Sequence, residues 1–152
     1  MPEPGGRPGL PARILIGFDY GRRRIGAARG DTLTASAAAL PVISSGPSGP
    51  DWAQVGKLLD QWRPALIVVG LPYNADGTDS GITTEARRFA QELSSRFAIP
   101  VELVDERYSS LDAQARLAAA RASGVRRRRV AKADIDAAAA CVILERWFSQ
   151  NT

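Results

Sequence analysis

The order in which two hydrophobic rhythms follow one another along the chain most constrains its fold. Three strand-like segments come first, Arg13–Phe18, Arg24–Arg29 and Thr32–Ile43, separated by turns too short for a crossover. Short β-branched runs then alternate with stretches of helical period. Asp51 is placed to cap a helix carrying Trp52, Val55, Leu58, Leu59 and Trp62 at helical spacing. Leu66–Val69 follows as a strand, and the Gly70–Gly81 segment reads as a loop. Thr83–Phe97 reads as a helix with Ala86, Phe89, Ala90, Leu93 and Phe97 inward, and Val101–Val104 as the last strand. Ser109-Ser110-Leu111-Asp112 has capping-box form before an Ala-rich helix; a basic loop over 122–133 leads into a final helix, Asp134–Phe148. The order βββαβαβαα predicts parallel strands joined by crossovers, an antiparallel edge from the first strands, and helices on both faces. The expected architecture is an α/β fold with a five-stranded mixed sheet.

In such sheets the working site lies beyond the carboxyl ends of the central strands. Asp19 stands directly after the first strand and Glu106 two residues after the last, while Asp136 opens the final helix. Converging carboxylates repel unless a cation neutralises them. Mg²⁺ or Mn²⁺ suits oxygen donors, can activate water, and can stabilise the charge that develops on a displaced phosphodiester oxygen. Each acid also has an ordinary structural role. Asp19 can form the turn before Tyr20-Gly21, Glu106 can pair with Arg107, and Asp136 can favour the positive end of its helix, with Asp134 competing for the cap.

Composition narrows the chemistry. The chain has 152 residues, no His and a single Cys. Without His there is no Ser-His-Asp or Cys-His nucleophile system. One Cys can supply neither a structural zinc site nor an intrachain disulfide. Of the 20 Lys+Arg only Lys57 and Lys132 are lysine, and the net charge is +4. Arg suits phosphate oxygens, although an Ala-rich, high-GC composition produces the same bias. Residues 1–12 are rich in Pro and Gly and read as a disordered arm, with 13–150 as the folded domain. With neither a signal-type apolar segment nor a membrane-length run, a soluble cytoplasmic protein is the expectation.

Four ordered segments carry a resemblance that goes further: Ile16-Gly17-Phe18-Asp19-Tyr20-Gly21-Arg22-Arg23-Arg24-Ile25-Gly26-Ala27-Ala28, Val68 to Thr78 (VVGLPYNADGT), Asp105-Glu106-Arg107-Tyr108-Ser109-Ser110, and Asp136-Ala137-Ala138-Ala139-Ala140. Together they resemble the YqgF family, also called RuvX, over roughly residues 13–150. The resemblance implies a ribonuclease H-like fold and a metal-dependent nuclease. It is linked to 5′-end maturation of the 16S ribosomal RNA precursor, and its fold kinship also suggests cleavage of Holliday junctions. Carried over residue by residue, the acidic site falls on Asp19, Glu106 and Asp136, with Mg²⁺ or Mn²⁺ as cofactor. The related RuvC resolvases carry a fourth acid on the last helix; none lies one turn after Asp136 here, so a three-carboxylate site is expected. The Lys-Arg pair of the family's first motif becomes Arg23-Arg24.

Nucleic acid is the expected partner, gripped through Arg23, Arg24, Asn74, Arg107 and the run Arg126-Arg127-Arg128-Arg129, which would hold phosphates without reading bases. Asn74 can equally serve as a turn residue. Arg87 and Arg88 read as the wet face of their helix, Cys141 and the three Trp as core. Symmetric cutting of a junction would call for two sites and hence a homodimer. Two rival classes stay open. One is a non-catalytic ribosome-assembly RNA binder. The other is an ATP-binding fold, since Asp19-x-Gly21 with Gly26 also resembles a phosphate loop, but such proteins need two domains of this kind.

Overall fold

The computed structural model describes residues 13–74, 76–106 and 132–151, with residues 132–134 described through their backbone alone. The described chain forms six strands, β1 (Ile14–Asp19), β2 (Arg24–Asp31), β3 (Ser36–Gly46), β4 (Gly49–Pro50), β5 (Leu66–Leu71) and β6 (Val101–Asp105), and three helices, α1 (Trp52–Trp62), α2 (Gly81–Phe97) and α3 (Lys132–Gln150). The sheet order is β4-β3-β2-β1-β5-β6. β1, β5 and β6 are parallel, whereas β1–β2, β2–β3 and β3–β4 are antiparallel.

The expected mixed sheet is therefore present, with one strand more than the five anticipated. The extra strand arises in Ser44–Pro50, a Ser/Gly/Pro segment (SSGPSGP) whose composition reads as a loop. β3 continues to Gly46, and Gly49, at φ +100°, turns the chain so that Ser45 pairs with Pro50. At its other end β3 starts later than expected. Asp31 accepts a hydrogen bond from the Leu33 N–H (2.8 Å), and Ala35 adopts φ +50°, so 32–35 turns instead of extending.

The helix starts follow local chemistry. Asp51 caps α1 by accepting from the Gln54 N–H, and Ser80 and Thr83 form a reciprocal capping box on α2. Alternation along the strands then sends side chains to two separate cores. Ile16, Phe18, Ile25, Ile67 and Val69 pack under α1 and α2 with Val55, Phe89 and Leu93, whereas Leu15, Ala28, Val68 and Val104 pack under α3 with Ile143, Leu144 and Phe148.

α3 can lie close on the sheet because glycines line its path. A Cβ at Gly17 would come within 2.7 Å of Leu144 Cγ, and one at Gly26 would strike the Asp136 carbonyl. That close approach fixes where the first turns of α3 sit relative to the end of β1.

Candidate active site

Asp19 is the last residue of β1, and the period-2 alternation that places Leu15 under α3 places Asp19 on the same face. It pairs across the β1–β2 ladder with Gly26. On the other side, β1 and β5 are registered through Phe18 and Val69, so the next residue of β5 is Gly70. Asp19 thus stands between two glycines, and both gaps are filled from α3 or from the end of β6. The Asp136 backbone rests on Gly26, while Glu106 and Ile143 rest on Gly70, where a Cβ would lie 2.7 Å from Glu106 Oε2 and 2.5 Å from Ile143 Cδ1. The Glu106 N–H donates to the Leu71 carbonyl (3.1 Å), tying the residue to the carboxyl end of β5.

Glu106 is buried, with 7% of its surface exposed, and it shares a side-chain hydrogen bond with Asp19. Burial is the main cause that raises Glu106 to about 10, and the Asp19 charge adds to it; Arg146 opposes the shift. Burial also raises Asp19, to about 6, with the Asp136 charge pushing the same way and the hydrogen bond with Glu106 opposing. Both carboxyls are thus held more easily protonated than free acids, because burial penalises their charges and the acids stand close together.

Asp136 stands near enough to be felt by Asp19 electrostatically, but its carboxylate accepts from Arg24 Nε at 2.9 Å, in a half-buried ion pair. Among the described residues no three His, Cys, Asp or Glu side chains are grouped so as to hold a metal ion.

The other sequence-predicted residues are distributed as follows. Arg24 lies at the acids, engaged with Asp136. Arg23 is exposed at the start of the β2 hairpin arm and faces a cleft on the opposite side of the sheet. Asn74 is in the loop after β5, where its side-chain amide donates to Thr78 Oγ1 (3.0 Å) and to the Asp79 carbonyl (3.3 Å), the turn role. Arg107 and Arg126–Arg129 lie outside the described residues, as do residues 1–12 and the helix expected after Ser110. Cys141 is buried under the sheet, in the core as expected.

Two features were not anticipated. Arg146 donates to the Asp105 carbonyl (3.0 Å) and supplies the positive charge nearest Glu106. Its signal was available, since it lies three residues after the inward Ile143 on the same side of α3. Arg22 makes a bidentate pair with Glu85 (2.7 Å at its shortest), bracing the turn after β1 against α2.

The family model described as "RuvX: Holliday junction resolvase" matches residues 13–150. A protein of Xanthomonas campestris pathovar campestris named "Putative pre-16S rRNA nuclease" is 48% identical over 149 residues, covering 98% of this chain and 94% of the relative. A Legionella pneumophila protein of the same name is 43% identical, covering 93% of this chain and 99% of its own length. Among solved structures, Thermus thermophilus RuvC in complex with a Holliday junction superposes with a TM-score of 0.55 at 17% identity, over 91% of this chain and 94% of that one. The fowlpox virus resolvase bound to junction DNA gives 0.56 at 11% identity, over 91% and 98%. At those identities the structures establish a shared resolvase-type, ribonuclease H-like fold, while the family match rests on sequence running through every motif that builds the acidic edge. The chain belongs to the RuvX family.

Proposed function

We propose that the chain is a metal-dependent nuclease whose substrate is the 16S ribosomal RNA precursor, trimmed at its 5′ end in ribosome biogenesis, and that Asp19, Glu106 and Asp136 form its catalytic and metal-binding site. The observation that carries this reading is the meeting of half-buried Asp19 with buried Glu106, beside Asp136, at the carboxyl edge of parallel strands. An acid pair of this kind is costly to bury and gives the fold nothing that an amide could not. It suits a hard divalent cation, which would take oxygen donors from both carboxylates. The donor set fits Mg²⁺ or Mn²⁺ once Asp136 is released from Arg24.

The ion when bound supplies an activated water and stabilises the charge developing on the displaced oxygen. The chain's own residues do the rest. Glu106, anchored to Leu71 through its backbone, and Asp19, held by the sheet ladder, keep their carboxyls on one side of the edge. Arg24, relieved of Asp136, is placed to meet a phosphate oxygen through its planar fork. Arg146 offsets the negative charge left at Glu106. Arg23, Asn74, Arg107 and Arg126–Arg129 are proposed contacts to flanking phosphates.

Junction resolution is the second reading, favoured by the description of the matching family model. It uses the same acids and requires two copies of the chain. Among the described residues no helix is long and apolar enough to cross a membrane, and a cytoplasmic location fits the proposed role. The test incubates wild type and Asp19→Asn with a 5′-extended precursor fragment and with a four-way junction, in Mg²⁺ or Mn²⁺. Cleavage of the RNA by wild type alone is the expected result. Cleavage of the junction alone transfers the site to the second reading. Undiminished cleavage by Asp19→Asn would overturn the acid site, and no cleavage of either substrate by wild type would point to the non-catalytic binder.

A further inference from the structure

The acids occupy one face of the sheet edge. A cleft of about 810 Å³ opens on the other, between α2 and the β3–β4 turn, with Tyr20, Arg22, Arg23, Ser45, Glu85 and Arg88 on its walls. The two sites are joined by one peptide unit. Asp19 belongs to the α3 side, and the next residue, Tyr20, packs its ring on Phe89 of α2 (5.4 Å between centroids).

The charges in this cleft do not cancel. Glu85 is taken by Arg22, and Glu92, also on the wall, pairs with Arg96 (3.6 Å), itself stacked over Trp52. Arg23 and Arg88 are left over: both are exposed, and among the described residues neither forms an ion pair. Beside them the Ser45 N–H is locked to the Arg23 carbonyl (2.9 Å), while the Ser45 hydroxyl is buried without any hydrogen-bond partner. That hydroxyl is enclosed by the protein and does not open onto the cleft. Two exposed guanidinium groups without an ion pair of their own, Arg88 also acting at a distance on Glu85, and the partly exposed Tyr20 ring together match a phosphate-linked nucleotide.

We propose that this cleft is a subsite for the single-stranded segment of the nucleic acid that continues from the acid site across the Tyr20–Gly21 corner, with Arg23 and Arg88 gripping its phosphate. The inference rests on the nucleic-acid reading of the acid site and adds a location, a strand state and residues to it. The single-stranded state is argued from the aromatic wall, on which an unpaired base can stack, and the volume falls within the roughly 300–1,000 Å³ of sites that take small ligands. Arg88, which the helical pattern alone assigns to a wet face, becomes a substrate contact.

Fluorescence anisotropy of a labelled single-stranded RNA, with the Asp19→Asn protein in chelator so that nothing is cut, tests this directly. The added double change Arg23→Gln/Arg88→Gln is expected to weaken binding about tenfold or more and to lower the slope of log affinity against log salt by about 1.4, two contacts at about 0.7 each for single strands. Arg23→Lys/Arg88→Lys keeps the charges and is expected to retain the slope. A duplex of the same sequence should compete weakly. Unchanged affinity and slope in the Gln pair, with its circular dichroism intact, would overturn the proposal, as would a duplex that competes as well as the single strand. Because binding is read without hydrolysis, that failure leaves the acid site standing, whereas undiminished cleavage by Asp19→Asn overturns the acid site and not the cleft.

Discussion

An acid pair assembled for a cation should strain the metal-free fold, and Asp19→Asn measures by how much. Asp19 rises from 3.8 to about 6 on folding. A group whose pKa is raised by folding contributes its stability fully below the unfolded value and loses it as pH climbs through the folded one. For Asp19 the window therefore runs from about pH 4 to just above pH 6. At about 1.4 kcal/mol per tenfold change in proton affinity, the rise from 3.8 to about 6 amounts to about 3 kcal/mol that the wild type forfeits at pH 8. Asn keeps the shape but carries no charge. Urea unfolding of both proteins in chelator, at steps from pH 4 to pH 8, should give near-equal stabilities at the acid end. At pH 8 the variant should be more stable by up to about 3 kcal/mol, equivalent to a gain of about 6–12 °C in melting temperature for a chain of this size. The wild type should be stabilised by Mg²⁺ and the variant much less, since the cation relieves what Asn has already removed. A variant no more stable than wild type at pH 8, or one displaced by the same amount at every pH, would refute the charge-burial reasoning.

Other perturbations probe the same edge. Gly70→Ala puts a methyl group at 2.5 Å from Ile143 Cδ1 and 2.7 Å from Glu106 Oε2, so it should lower cleavage at least tenfold and stability by about 1–3 kcal/mol, read by nuclease assay and urea melt. Gly26→Ala strikes the Asp136 carbonyl and should lift the start of α3, with a comparable loss of stability and of the Mg²⁺-dependent shift in melting temperature. Arg24→Gln removes the partner of Asp136; stability in chelator should fall by about 1 kcal/mol while Mg²⁺ binds more tightly, because the site gains a net negative charge, and calorimetric titration would show weaker binding if this is wrong. Leu144→Ala, beneath α3 and against Gly17, should cost about 3–5 kcal/mol by chemical denaturation.

Much of the fold is legible without coordinates because the signals are local. Asp51 before an apolar-periodic stretch, the β-branched runs at Ile14–Phe18 and Leu66–Val69, and the inward set Ala86, Phe89, Ala90 and Leu93 all behave as their spacing predicts. The departures are where a single residue reroutes the backbone. Asp31 and Ala35 delay β3, and Gly49 reverses the chain to make β4 from what reads as loop. Asn74 looks equally like a ligand contact and a turn residue, and only its hydrogen bonds to Thr78 and Asp79 distinguish them.

From its own order the sequence determines a mixed sheet, the three acids at its carboxyl edge, and, by lacking His, a chemistry limited to carboxylates, hydroxyls, Arg, Lys, backbone groups or a hard metal. Strand ends and helix starts follow from neighbouring residues, so their placement along the chain is written locally. The partnerships among those acids come from the tertiary structure alone. That Glu106 meets Asp19, that Asp136 turns to Arg24, and that Arg88 shares a cleft with Arg23 all depend on α2 and α3 packing against opposite faces of the edge. Residues 112 positions apart in the chain meet because Gly26 lets a helix backbone rest where a side chain would have stood.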